Sequence, residues 1–145
     1  MSFMKSMDIS ASALTAQRMR MDVISENIAN ANTTRTANGG PYRRRIAVLS
    51  QNEGSVFSQY LNDARDAVLG NGVQVSAIVE DNSPFIMNYD PTNPDADANG
   101  YVAMPNVDIV TEMLDMMSAT RSYEANVTAL NATKNMAVKA LEIGR

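Results

Sequence analysis

Apolar residues recur at alternating spacings of four and three near both ends of the chain, and this rhythm constrains the fold most. Thr120 and Lys134 interrupt it in the C-terminal half, where the apolar positions are Ile109, Met113, Met116, Tyr123, Val127, Leu130, Ala137 and Leu141. The N-terminal series contains Met7, Ala11, Leu14, Met21, Ile24 and Ile28. Such spacing keeps apolar side chains on one side of a helix, as in a coiled coil. We predict that these positions form an assembly interface.

The two terminal helices have readable boundaries. The first is predicted from about Asp8 to about Ala31, with Ser6 or Asp8 as its cap. The second is predicted from near Asn106 to about Leu141 and would be roughly 50 Å long at 1.5 Å per residue. A helix of that length leaves apolar turns uncovered if it pairs only with the first.

The segment between the helices lacks the helical rhythm. Strands are predicted at Arg45–Leu49, Val73–Val79 and Phe85–Tyr89, while Val56–Leu69 is compatible with a helix or a flexible arm. A run of Asp, Asn, Pro and Gly from Asp90 to Gly100 predicts a turn-rich connector.

The predicted fold is therefore mainly α with a small β insert. The long N- and C-terminal helices pair as an antiparallel coiled-coil-like bundle, with a two- or three-stranded β/loop segment between them. Residues 1–35 and 106–145 would contribute the helices of an inner terminal-helix domain. Residues 36–105 would form the insert and connector.

The composition excludes several classes of function. The chain has no His and no Cys, which removes Ser-His-Asp and Cys-His nucleophilic sites, disulfides and zinc sites built on those residues. A net charge of −4 argues against nucleic-acid binding. No stretch approaches the roughly 20 apolar residues of a membrane span, and no Sec-type signal peptide is evident. We expect no enzyme activity, cofactor or small-molecule substrate.

Two local motifs have competing interpretations. Arg43-Arg44-Arg45 could be a phosphate or headgroup patch, although a solvated strand edge is favoured. The run from Asp95 to Gly100 matches the first half of an EF-hand calcium loop, but Pro105 and Asn106 occupy the eleventh and twelfth positions, where a Glu is required at the twelfth. An Asp/Asn/Gly turn without metal is the preferred interpretation.

Several segments resemble the flagellar rod/hook axial protein family, and within it the proximal-rod proteins. They are the end of the first helix, the Gly-Gly-Pro-Tyr-Arg-Arg-Arg segment, the connector with its exit, and the middle of the last helix. The residues that carry this resemblance are Asn27, Ile28, Ala29, Asn30, Thr33, Pro41, Tyr42, Asn99, Gly100, Tyr101, Pro105, Asn106, Arg121, Tyr123 and Asn126.

The resemblance implies a structural role in a bacterial flagellar basal body. Members of the family leave the cell through the flagellar type III export apparatus without signal cleavage. They assemble outside the cytoplasmic membrane with copies of themselves and with other rod proteins, and their terminal helices form the channel-lining layer. The rod transmits torque from motor to hook. The alternative from the residues alone is a stand-alone coiled-coil adaptor, which leaves the connector unexplained.

Overall fold

The computed structural model describes residues 3–37, 39–52 and 70–143. It confirms a mainly helical chain with a small β part. The elements, in chain order, are α1 (Phe3–Ala29), β1 (Arg45–Gln51), β2 (Val73–Glu80), β3 (Ile86–Tyr89), β4 (Tyr101–Met104) and α2 (Ile109–Ile143).

Helices α1 and α2 pack side by side in opposite directions. Arg20 Nη2 donates to Asp115 Oδ1 at 3.2 Å, and further along α1 the Asn27 amide donates to Glu112 Oε2 at 3.0 Å. Ala119 is fully buried between the helices, because a small side chain lets the two backbones approach. With 35 residues, α2 is about 52 Å long and outreaches the 27-residue α1.

The helix boundaries differ from those predicted. Helix α1 begins at Phe3, so Ser6 and Asp8 lie inside it rather than capping it. Helix α2 begins at Ile109, where Asp108 accepts hydrogen bonds from Val110 N at 3.1 Å and from the Thr111 hydroxyl at 2.7 Å. A short acidic side chain satisfies the free N–H groups of a first turn, which fixes this start.

The face of α2 that meets α1 departs from the predicted apolar series only in the first turns of the helix. Glu112 and Ala119 are buried there, and Thr120, which interrupted the apolar pattern, contacts Met21 on α1. Ile109 and Met113 were predicted on that seam, but both are exposed. Within one chain these two positions do not face α1, because the paired carboxylate of Glu112 takes the buried place, and their part in an interface between subunits stays a prediction.

Strands β1 and β2 form an antiparallel hairpin that lies against α1. The register shifts between Val48 and Leu49, so the ladder contains a bulge. The Ser12 hydroxyl on α1 donates to Ile9 O at 2.7 Å and accepts from Val73 N at 3.1 Å at the start of β2. The segment Val56–Leu69, for which a helix or a flexible arm was predicted, lies outside the described residues.

Strands β3 and β4 form a second antiparallel pair, joined by the connector. Strand β4 was not predicted, because it is only four residues long and follows directly on the turn-rich run. The connector is built of Asp and Asn turns: Asp97 Oδ1 accepts from Asn99 N at 2.8 Å and from Tyr101 N at 3.1 Å. An Asp/Asn/Gly turn is therefore what the EF-hand-like sequence forms.

No helix within residues 3–37, 39–52 and 70–143 is long and apolar enough to cross a membrane.

A substitution of Gly72 would test the contact between the hairpin and α1. Its φ is +90°, and an added Cβ would collide with the Ser12 side chain. Gly40 has a similar φ of +87°, yet no described atom lies within 4 Å of an added Cβ. We expect Gly72→Ala to lower the free energy of unfolding by about 1–2 kcal/mol more than Gly40→Ala, because only the first substitution disturbs the Ser12 hydrogen bonds. Urea unfolding of the two variants measures the difference; equal losses would contradict this packing.

Candidate assembly site

Asn27, near the C-terminal end of α1, is fully buried and uses its whole amide. Its Nδ2 donates to Arg45 O at 2.8 Å and to Glu112 Oε2 at 3.0 Å. Its Oδ1 accepts from Arg45 N at 2.9 Å and from the Tyr42 hydroxyl at 3.0 Å. One side chain thus connects α1, the segment before β1, the start of β1, and α2. Since every polar atom is satisfied, burying this amide does not incur the cost of an unpaired group.

Glu112 on α2 is the second fully buried polar residue, and Arg44 neutralises it. Arg44 Nε donates to Glu112 Oε1 at 2.7 Å, and the guanidinium also lies 3.6 Å from Asp81 and 3.7 Å from Asp115. Burial opposes the charge of Arg44, but the hydrogen bond and charge of Glu112, together with the charges of Asp81 and Asp115, outweigh it, so the pKa of Arg44 lies above its ordinary value. A buried carboxylate in this setting requires its partner.

Asn106, in the loop before α2, extends the network to the segment that follows β2. Its Oδ1 accepts from Arg44 N at 2.9 Å, and its Nδ2 donates to Asp81 O at 3.1 Å and Ser83 O at 3.3 Å. We call Asn27, Tyr42, Arg44, Asn106 and Glu112 the polar hub.

The Arg43-Arg44-Arg45 run is not a solvated edge, and that interpretation is corrected. Arg44 is half-buried in the hub. Arg43 Nη1 donates to Asp81 O at 3.0 Å and stacks on Phe85, 4.4 Å from the ring centre. Arg45 Nη1 donates to Glu26 Oε1 at 2.8 Å. All three guanidinium groups are engaged by partners within the chain, which removes the motive for a phosphate or headgroup patch.

Tyr42 joins the hub to a small apolar cluster. It is buried with Ala31 and Val107, and its N–H donates to Thr33 O at 3.0 Å. Burial raises the pKa of the Tyr42 hydroxyl, and the nearby Glu26 carboxylate adds to the effect. The neutral hydroxyl therefore persists as the donor to Asn27.

The remaining family-motif residues lie around the hub or on α2. Pro105 is buried, and Asn30 and Thr33 close the turn after α1, with Asn30 Nδ2 donating to Glu26 O at 2.9 Å and the Thr33 hydroxyl to Asn30 Oδ1 at 3.2 Å. Ile28 is half-buried and Ala29 exposed at the last turn of α1, and Pro41 is half-buried before Tyr42. Asn99, Gly100 and Tyr101 form the turn into β4. On α2, Tyr123 and Asn126 are half-buried and Arg121 is exposed.

The predicted interface positions divide into two groups. Half-buried or buried positions lie along the paired helices: Met7, Leu14, Met21, Ile24, Ile28, Met116, Tyr123, Val127, Leu130 and Ala137. Ala11, Ile109, Met113 and Leu141 are exposed. Leu141 lies four residues after Ala137, on the same side of α2, but α2 extends there beyond the first residue of α1 and so has no helix to pack against.

The face of α2 opposite α1 carries an uncovered apolar stripe, of which the predicted series contained only Met113. Val110, Met113, Leu114 and Met117 recur at spacings of three, one and three, which places them together on a helix. Their exposed fractions lie between 49% and 67%. We call these residues the outer stripe. The pattern was visible in the sequence as a second apolar spacing beside the first.

Burial is concentrated at the hub end of the paired helices. In α2 no residue from Thr120 to Glu142 is buried, and in α1 none from Phe3 to Thr15 is. The distal halves therefore rest on half-buried contacts alone.

A cleft of about 290 Å³ lies between α1, β1 and α2, and Arg44 and Glu112 of the hub contribute to its lining. Its apolar lining includes Val23, Ile24 and Leu49. Of its charged groups, Arg20 pairs with Asp115 and Arg44 with Glu112, while Arg45 pairs with Glu26. Within the described ranges, no three carboxylates or imidazoles come together to hold a metal ion. The charged groups of the cleft are thus committed to holding the elements together.

Two family models match the ends of the chain. The model described as flagella basal body rod protein matches residues 7–35, and the C-terminal model of the flagellar basal body rod FlgEFG proteins matches residues 98–143. The first matched segment contains α1 from Met7 onward with its closing turn, and the second contains β4 and α2.

Curated relatives cover the whole chain. The flagellar basal-body rod protein FlgC of Bacillus subtilis is 58% identical over 97% of both chains. The proteins of the same name from Borreliella burgdorferi and Escherichia coli O6:H1 are 44% and 43% identical, over 99% and 100% of this chain and 98% and 100% of their own.

The hub predicts unequal effects of removing two neighbouring carboxylates. Glu112→Gln leaves Arg44 without its buried partner, and we expect a loss of about 2–3 kcal/mol, because Arg44 keeps two weaker partners. Asp115→Asn is the matched control: its carboxylate also faces Arg44 but is 36% exposed, so we expect less than about 1 kcal/mol. Urea unfolding measures both values. A Glu112→Gln loss no greater than that of Asp115→Asn would show that the hub does not hold the elements together.

Proposed function

Since the chain belongs to the family of flagellar basal-body rod proteins and is a structural subunit of that rod, we propose that its paired terminal helices form the inner layer of a helical shaft. The β insert would lie outside them and contact neighbouring subunits. Residues 1–35 and 106–145 would contribute the inner domain, and residues 36–105 the insert and connector. The shaft would carry torque from the motor to the hook.

The outer stripe is the observation that carries this proposal. Burying an apolar side chain fully contributes about 1.5–3 kcal/mol, so four half-exposed ones would contribute roughly 3–6 kcal/mol when covered. Bringing two proteins together costs an estimated 4–15 kcal/mol or more. One stripe therefore gives weak pairing in isolation. It becomes effective when each subunit contacts several neighbours at once, as in a tube.

The distal ends of the helices supply further interface. Met136, Val138 and Leu141 are exposed near the end of α2. Methionine side chains adapt to irregular partners, which suits a junction between different rod proteins. We assign the predicted interface positions along both helices to contacts within and between subunits.

Assembly would place the subunit outside the cytoplasmic membrane, in the rod of the basal body. Its partners would be copies of itself, other rod proteins and, during export, the flagellar type III apparatus. Distal helices with little burial favour such export, because they need little free energy to unfold for a narrow channel. A head-to-tail contact whose rotation does not close generates the helical shaft.

Replacement of the gene tests the proposal. Deletion should abolish swimming and leave basal bodies without a complete rod, and the parent gene should restore both. Leu114→Asp should fail to restore swimming, because it puts a charge in the outer stripe. Ser25→Asp, at an exposed position of α1, should restore it. Motility agar and electron microscopy of isolated basal bodies give the readouts. A motile deletion strain with intact rods would refute the proposed function.

A further inference from the structure

Three asparagines in the chain are followed directly by glycine: Asn38, Asn71 and Asn99. In such a pair the backbone nitrogen of the glycine can attack the side-chain amide of the asparagine, because glycine has no Cβ to hinder the approach. How often this happens depends on how firmly the surrounding structure holds the pair. Asn38 lies outside the described residues, so Asn71 and Asn99 begin the two pairs that the structure describes.

The Asn71–Gly72 pair is held against α1. Asn71 is half-buried, and Gly72 packs so closely on α1 that an added Cβ would collide with the Ser12 side chain. The next amide, Val73 N, donates to the Ser12 hydroxyl at 3.1 Å. A bond between Gly72 N and the Asn71 side chain would therefore require the start of β2 to leave α1.

The Asn99–Gly100 pair lies in the turn that leads into β4, and Asn99 is exposed. Three hydrogen bonds to Asp97 hold this turn. The backbone oxygen of Asp97 accepts from Gly100 N at 3.0 Å. Its carboxylate Oδ1 accepts from Asn99 N at 2.8 Å and from Tyr101 N at 3.1 Å. Exposed turns open locally more readily than packed elements, and Gly100 N becomes free when this one opens.

We propose that Asn99 is a site of spontaneous deamidation, and that Asp97 slows the reaction by holding the turn closed. Gly100 N forms a bond to Asn99 Cγ, the Cγ–Nδ2 bond breaks, and ammonia leaves with the proton of the Gly100 amide. Water then opens the resulting succinimide at either carbonyl, which gives aspartate or isoaspartate. Only water is consumed and only ammonia is released. This modification goes beyond the proposed function and does not depend on it.

Isoaspartate changes the turn more than aspartate does, because it inserts a methylene into the main chain just before Gly100. There is little room for it: a Cβ on Gly100 would lie 3.0 Å from the Tyr89 ring and 3.3 Å from Pro91. Gly100 O also accepts from Asp90 N at 3.0 Å, just after β3. The insertion therefore loosens this end of the β3–β4 pair, where Tyr89 faces Tyr101. Faster amide exchange at Asp90 in the isolated isoaspartate form checks this loosening.

The two pairs can be compared within one sample of the purified full-length chain. Peptide mapping by mass spectrometry after incubation at mildly alkaline pH measures the reaction at each pair. We expect Asn99 to deamidate roughly tenfold or more faster than Asn71, since only Asn71 requires the hairpin to leave α1 first. In urea, which removes both environments, the difference should become small.

Asp97→Ala tests the role assigned to Asp97. It removes the two carboxylate hydrogen bonds, so the turn opens more often, and deamidation of Asn99 in the folded chain should accelerate by roughly fivefold or more. Asp97→Asn is the matched control, because it keeps a side-chain oxygen as the acceptor and should react at nearly the native rate. In urea the three chains should react alike. Circular dichroism checks that each variant is folded.

Two results would overturn the proposal. Equal rates at Asn99 and Asn71 in the folded chain would show that the connector turn does not open separately from the hairpin. An Asp97→Ala rate no faster than that of Asp97→Asn would show that the carboxylate does not protect Asn99. Neither result bears on the proposed function, which gene replacement tests separately.

Discussion

The contact of Glu112 with Arg44 and Asn27 is the interaction on which the rest of the structure depends. A carboxylate buried this completely is strongly destabilising without a partner. Its partners are distant in sequence: Arg44, just before β1, is 68 residues away, and Asn27, on α1, is 85 residues away. The helix pair and the insert therefore form one cooperative unit. Asn106 strengthens it by tying the loop before α2 to Arg44 and to the end of the hairpin.

The subunit has two unlike ends as a result. At the hub, polar groups are paired and small residues such as Ala119 let the helices approach closely. Toward the other end, the two helices contact each other only through half-buried side chains, and no residue of either helix is buried there. Under the proposed function, the hub would preserve the shape of the subunit, and neighbouring subunits would cover the distal halves and the outer stripe. Stability would then be shared between the chain and the assembly.

Sequence patterns predicted the elements better than their contacts. The 4-3 spacing predicted two long helices, because periodicity is a local property, and alternation predicted β2. The hub was missed, because nothing local indicates that Arg44 and Glu112 meet. That pairing places Glu112 against α1 and leaves Met113 exposed. The outer stripe could have been found, since Val110, Leu114 and Met117 repeat at helical spacing. The motif residues Asn27, Tyr42 and Asn106 were identified by resemblance, and the structure supplies their physical roles.

The central claim is that the hub stabilises one end of the free subunit, whereas the distal helix ends become stable only in contact with neighbouring subunits. Amide hydrogen exchange on the dilute, unassembled full-length chain tests it most directly. Strong protection is expected around Asn27 and in the first turns of α2 through Ala119, and weak protection beyond Asn126 and in the first turns of α1. Glu112→Gln should remove the protection of the hub end. Strong, uniform protection to both distal helix ends in the monomer would contradict the account.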